Sequence, residues 1–144
     1  MDIVFFVLVL LVAAGGAWFL VRRRASGPAT VDFAAMQWQA FESRLSDHFW
    51  RSGYHVEKID ESDADLRLTR EGKTWYVNAK YWDAGHVGAE PVRQVMQRVA
   101  GEDAAGGFVV TKGQFTADAR QLAARAEIEL IEGSALAEAL ARRG

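Results

Sequence analysis

The hydrophobic positions along the chain follow three different patterns. Residues 3–21, IVFFVLVLLVAAGGAWFLV, are a run of nineteen without a single charge. As a helix rising 1.5 Å per residue the run reaches about 29 Å, close to the thickness of a bilayer's hydrocarbon core. Asp2 precedes it and Arg22, Arg23 and Arg24 follow it, the reverse of a cleavable signal peptide. Trp18 sits near the basic end, where aromatic rings favour the interface. The pattern predicts a single-pass transmembrane anchor over residues 1–24, in contact with the membrane through residues 3–21. The positive-inside rule places its N-terminus outside and the rest of the chain in the cytoplasm, at the cell inner membrane. Residues 25–31 are small and proline-bearing, a short linker that holds whatever follows close to the bilayer.

From residue 32 to the C-terminus the periodicity alternates between 3.6 and 2. Phe33, Met36, Ala40, Phe41, Leu45 and Phe49 recur on one helical face, which predicts a helix over 32–51 with Asp32 as N-cap and Gly53 as its stop. Residues 54–59, 64–69 and 74–80 read as strands of an antiparallel meander, the last two joined by the turn REGK. On the third of these, Tyr76, Asn78 and Lys80 are expected on one face and Trp75, Val77 and Ala79 on the other. A helix opening near Pro91, a strand over 106–110, a helix over 116–126, a strand over 128–131 and a last helix over 134–142 complete the order. The later strand–helix–strand unit requires a parallel pair joined by a right-handed crossover. The expected fold is α/β, a β-sheet of mixed direction flanked by helices, preceded by one transmembrane helix, with residues 32–144 forming one domain.

Composition narrows the chemistry. The absence of cysteine excludes a disulfide scaffold and a thiolate metal centre. Beyond residue 30 the chain carries 14 Lys/Arg against 18 Asp/Glu, a net of −4. A strong non-specific DNA binder is usually basic, so any nucleic-acid contact must come from a local patch. His48, His55 and His86 are too scattered for a histidine metal triad.

The stretch DADLRLTREGKTWYVNAKYW, residues 63–82, holds the candidate chemistry. Asp65 lies before the hairpin turn by about as much as Asn78 and Lys80 lie after it, so the three fall within side-chain reach. A carboxylate with a second oxygen ligand can hold magnesium, and a lysine beside it can stabilise developing negative charge. Glu42 on the first helix would complete the ligand set if that helix packs over the sheet. Spacing alone favours an ordinary cross-strand ion pair, which contributes little.

These residues sit in a longer pattern. FE at 41–42, GYHVE at 53–57, DADLRL at 63–68, NAKYW at 78–82, VGAEPVRQVM at 87–96, FVVTKGQFTADARQLA at 108–123 and IELIEGSAL at 128–136 together resemble the Mrr-type restriction endonuclease domain of the PD-(D/E)xK nuclease superfamily. The resemblance spans about residues 36–140, and the VTKGQFT run followed by LIEG is its most specific part. It implies a restriction-endonuclease-like fold and a DNA endonuclease dependent on Mg²⁺ or Mn²⁺. Asp65, Asn78 and Lys80 then stand at the catalytic positions, and Asp65, Asn78 and Glu42 at the metal-binding ones. Asn78 departs from the family pattern, which usually has glutamine there. The glycines usual just before the aspartate are replaced by the acidic ESDAD. Asparagine keeps a carbonyl oxygen but reaches one methylene less and brings no charge.

Tyr81, Trp82 and Lys112 are candidate DNA contacts: the aromatics by stacking beside the catalytic end, the lysine by meeting a phosphate at a strand end. Packing and solvation are the plainer roles for Trp82 and Lys112, and Trp75 belongs to the core. DNA is the expected partner, with a second copy of the chain where both strands are cut. Against the enzyme stands a non-catalytic binding or assembly module that keeps the nuclease fold, favoured by Asn78, the acidic loop and the net negative domain.

Overall fold

The computed structural model describes residue 31, residue 33 and residues 36–142. Their order is α1 (Trp38–Arg51), β1 (His55–Lys58), β2 (Leu66–Arg70), β3 (Lys73–Asn78), β4 (His86–Val87), α2 (Glu90–Gly101), β5 (Gly106–Thr111), β6 (Gln114–Phe115), α3 (Ala117–Ala124), β7 (Ile128–Glu132) and α4 (Gly133–Ala141). The expected anchor over residues 1–24, the linker up to residue 30 and the N-cap Asp32 lie outside the described residues. Among the described residues no helix is long and apolar enough to cross a membrane.

The hairpin at the centre of the sequence forms as the alternation demands. Glu71 and Gly72 both take positive φ, 53° and 77°, the two-residue turn whose twist matches that of its flanking strands. Arg70 therefore faces Lys73, and the register runs back through Leu68–Trp75 to Leu66–Val77. β1 adds antiparallel to β2, while β5 and β7 add parallel to β3, giving the order β1-β2-β3-β5-β7. This is the expected mixed sheet with helices packed on it.

Two apolar layers hold the sheet. Phe41, Leu45 and Phe49 of α1 pack with Leu66, Leu68, Val77, Phe108, Leu136 and Leu140 on one side. Val92 and Val95 of α2 and Ala119 and Ala123 of α3 pack with Val109 and Ile128 on the other. Trp75 belongs to the first layer, as expected. Helix α2 lies so close to β5 that a Cβ on Gly107 would stand 2.3 Å from Val95 Cγ1, so glycine is required there.

Three local expectations change. The first helix begins at Trp38, several residues after Asp32, with Gln37 as a cap that makes no side-chain bond. The third strand ends at Asn78, so Lys80 falls in the following turn and strand alternation does not place its side chain. The short parallel pair β4–β6 was not expected; two residues per strand carry too little periodicity to be read from sequence. By contrast Thr116 caps α3 as expected, its hydroxyl accepting from the Ala119 amide at 3.2 Å.

Candidate functional site

Asp65 stands just before β2, where three segments of chain converge. Its amide donates to the Val77 carbonyl at 2.7 Å, and its carbonyl accepts from the amides of Ile59 and Asp60 at 2.9 and 3.1 Å. Main-chain bonds thus fix the residue from both sides. Its side chain is fully buried, a costly place for a carboxylate unless it is compensated. Oδ2 accepts from the Ala79 amide at 2.7 Å. Oδ1 has no aligned hydrogen-bond donor, and its counter-charge is the Lys80 ammonium 2.5 Å away. Lys80 is one-third exposed, so the ammonium links a buried carboxylate to solvent.

The pair lines a cleft of about 370 Å³ together with Trp38, Asp60, Ala79 and Trp82. Glu42 on α1 is 6% exposed. One of its oxygens lies 3.7 Å from Lys58 Nζ, and the other is buried without a partner. Burial pushes the Glu42 carboxyl up to about 7; the nearby Asp60 and the negative charge of Asp65 push the same way, and Lys58 opposes them. Glu42, Asp60 and Asp65 therefore share one negative field.

Asn78 has a different place. Its carbonyl oxygen accepts from the Lys80 amide at 3.1 Å. Its amide group donates to the Asp63 carbonyl at 3.0 Å and toward Gln94 Oε1 of α2 at 3.4 Å. The side chain is fully buried and does not line the cleft. The expectation that Asp65, Asn78 and Lys80 converge on one face is corrected: Asp65 and Lys80 meet, while Asn78 turns toward α2. Ending the strand at Asn78 causes this, because the side chain then binds the turn that carries Lys80.

Two of the candidate DNA contacts, Tyr81 and Trp82, lie on the turn after Lys80, and Lys112 at the end of β5 joins that turn through its amide, which donates to the Trp82 carbonyl at 2.9 Å. Tyr81 is 44% exposed. Trp82 stacks on Phe41, with ring centroids 4.5 Å apart and planes 21° apart, so one face of its indole is committed to the core. Lys112 forms an ion pair with Asp83 at 2.5 Å. The Thr111 hydroxyl donates to the Tyr81 carbonyl at 2.9 Å and accepts from the Gly113 amide at 3.1 Å. A Cβ on Gly113 would stand 2.3 Å from the carbonyl oxygens of Ala84 and Gly85, so only glycine lets the two segments meet.

Sequence reasoning missed Asp60. It sits between a strand and a turn in an acidic run, where periodicity does not distinguish one acid from the next. Its signal was the density of acids over 60–65, four in six residues.

Among the described residues no three His, Cys, Asp or Glu side chains already stand close enough together to hold a metal ion. The donors nevertheless suit a hard divalent cation. Asp60 and Asp65 bring two carboxylates to the cleft, and Glu42 behind them has a buried oxygen without a partner.

The family profile of the Mrr catalytic domain, described as a restriction endonuclease, matches residues 33–140. Among solved structures, a protein of unknown function, AF1548, superposes with a TM-score of 0.54 at 13% identity, covering 64% of this chain and 56% of its own. The MspJI restriction endonuclease, in complex with a 27-mer oligonucleotide, superposes with a TM-score of 0.50 at 21% identity, covering 71% of this chain and 26% of its own. The chain thus spans about half of one structure and a quarter of the other, and at these identities the likeness is one of fold. No curated protein matches it in sequence.

Proposed function

The chain belongs to the Mrr-type restriction endonuclease family, and from that premise we propose that it is a DNA endonuclease that hydrolyses phosphodiester bonds with a divalent metal ion, Mg²⁺ or Mn²⁺. The observation that carries the proposal is the Asp65–Lys80 pair at 2.5 Å, a buried carboxylate and a part-exposed ammonium at the wall of an open cleft. A resident ion supplies Lewis acidity toward the scissile phosphate.

The remaining roles belong to this chain's own residues. Asp65 is rigidly held by main-chain bonds and presents Oδ1 to the cleft. Lys80, released from Asp65, places its ammonium against the charge that develops on the phosphate oxygens. Glu42 adds its buried carboxylate to the negative field of the site from the first helix. Asn78 holds the main chain of Lys80 and so positions the lysine. Tyr81 offers an exposed ring for stacking on DNA beside the cleft. Residues 3–21 anchor the enzyme in the inner membrane with the domain in the cytoplasm, suited to cutting incoming DNA, and a second copy supplies the cut on the other strand. The anchor and its orientation are tested by alkaline extraction of membranes and by reporter fusions at each end of the chain.

Cleavage is tested with the full-length chain in detergent, incubated with DNA and Mg²⁺ or Mn²⁺. Cutting that is lost in both Asp65→Ala and Lys80→Ala is the expected result; cutting that survives both substitutions sinks the proposal. A second reading, a non-catalytic nuclease-fold module, is favoured by the engagement of Asn78 on α2. It wins if the wild type is inactive under every metal and Asn78→Gln or Asn78→Glu gains activity.

A further inference from the structure

Building on the nuclease reading above, we propose that Asp60 is a metal-coordinating residue of this site, supplying the second carboxylate that position 78 lacks. The residue lines the same cleft as Asp65 and Lys80. Its amide donates to the Asp65 carbonyl at 3.1 Å, so main chain ties the two residues together. Its negative charge also acts on the neighbouring Glu42 carboxyl.

Neighbouring acids behave differently. Glu61 and Asp63 pair with Arg98 at 2.5 and 3.0 Å. Among the described residues no lysine or arginine forms an ion pair with Asp60. Three carboxylates, Glu42, Asp60 and Asp65, thus face two ammonium groups, those of Lys58 and Lys80. Glu42 Oε2, on a side chain more than nine-tenths buried, has no donor at all. Two carboxylates on one cleft, with a third buried behind them that has an unpartnered oxygen, suit a cation that neutralises them. Asp60 also takes φ 45°, a left-handed conformation that side chains seldom adopt but that aspartate and asparagine tolerate best. That conformation turns the chain at the end of β1 beside the cleft.

Asp60 is a ligand outside the hairpin that carries Asp65 and Lys80. Moving the second carboxylate there leaves Asn78 free for its hydrogen bonds with Asp63, Gln94 and Lys80. The departure at position 78 is then a relocation of negative charge within the site.

The test measures metal binding without DNA or turnover. Mn²⁺ is titrated into the full-length chain in detergent, and free Mn²⁺ is followed by electron paramagnetic resonance. Asp60→Asn suits the purpose because asparagine keeps the left-handed backbone and removes only the charge. The expected result is a loss of Mn²⁺ affinity of roughly tenfold or more in Asp60→Asn and a larger loss in Asp65→Asn. Thermal melts in EDTA provide the second readout. There Asp60→Asn should melt with or above the wild type, because it relieves repulsion among carboxylates when no ion is present. Affinity within about threefold of wild type in Asp60→Asn, with binding lost in Asp65→Asn, overturns the assignment of Asp60 and leaves the nuclease reading standing. A markedly lower melting temperature in EDTA makes Asp60 a structural residue and also overturns it. If the wild type binds no Mn²⁺ up to ~10 mM, the metal-dependent nuclease reading falls and takes this one with it.

Discussion

Two clusters of carboxylates lie on either side of the same acidic run, and they differ in how they are neutralised. In the first, a single guanidinium serves three acids. Arg98 meets Glu61 at 2.5 Å, Asp63 at 3.0 Å and Glu102 at 2.9 Å, and lies over the Tyr76 ring at 4.6 Å. The Tyr76 hydroxyl completes it by donating to Glu102. These bonds hold the Arg98 guanidinium above even its ordinary basicity. In the second, Glu42, Asp60 and Asp65 face Lys58 and Lys80, and one oxygen, Glu42 Oε2, has neither a hydrogen bond nor an ion-pair partner. The first is a closed network whose effect is to tie α2 to the sheet. The second is open toward a cleft and can accept a ligand. The two clusters differ in the ratio of cations to acids less than in their access to the cleft.

The contrast can be broken in graded ways. The largest effect is expected from Asp65→Asn or Lys80→Ala, either of which should lower DNA cleavage at least ~10³-fold in protein that circular dichroism shows to be folded, measured by cleavage rate. Arg98→Ala should do the reverse. Removing one cation from three acids should destabilise the domain by about 2–3 kcal/mol in urea denaturation, while the protein that remains folded keeps cutting. A smaller effect is expected at Glu42, and it depends on pH. Its carboxyl is raised to about 7 in the folded chain, so the folded state binds that proton more tightly than the unfolded one. The associated stability is complete below the unfolded value near 4.5 and is lost as pH rises toward 7. Glu42→Gln should therefore match the wild type in melts at pH 4–5 in EDTA and exceed it by about 1–2 kcal/mol at pH 8. Should the variant be less stable at pH 8, Glu42 belongs with the closed network after all. The smallest effect is expected from Tyr81→Ala, about 1 kcal/mol or fivefold in DNA affinity by fluorescence anisotropy in the presence of Ca²⁺.

Much of the fold was legible because its elements announce themselves by period. Alternation over 64–80 and the turn before Lys73 define the hairpin, and the apolar strands β5 and β7 require parallel pairing. The site was legible in part. Asp65 and Lys80 were identifiable because a hairpin brings them together whichever way its ends are finished. Asn78 was misplaced because its direction depends on where the strand stops, a matter of one hydrogen bond to Lys80. Asp60 escaped because neighbouring acids in DESDAD serve opposite clusters. Residues 61 and 63 turn to Arg98, whereas residues 60 and 65 face the cleft. Only the fold sorts such a run, since its members differ in partners and hardly at all in chemistry.

The close approach of Gly113 to Ala84 and Gly85, with the Thr111 hydroxyl on the Tyr81 carbonyl, bears on how the wall of the cleft moves. The turn that carries Tyr81 and Trp82 is fastened to the end of β5, a central strand of the sheet. It cannot swing out like a free surface flap without breaking bonds at the end of that strand. Amide protons along the fastened segment should therefore exchange with solvent at the pace of the sheet. DNA would meet a ready-made wall, and the cost of ordering it falls in folding, before any ligand arrives.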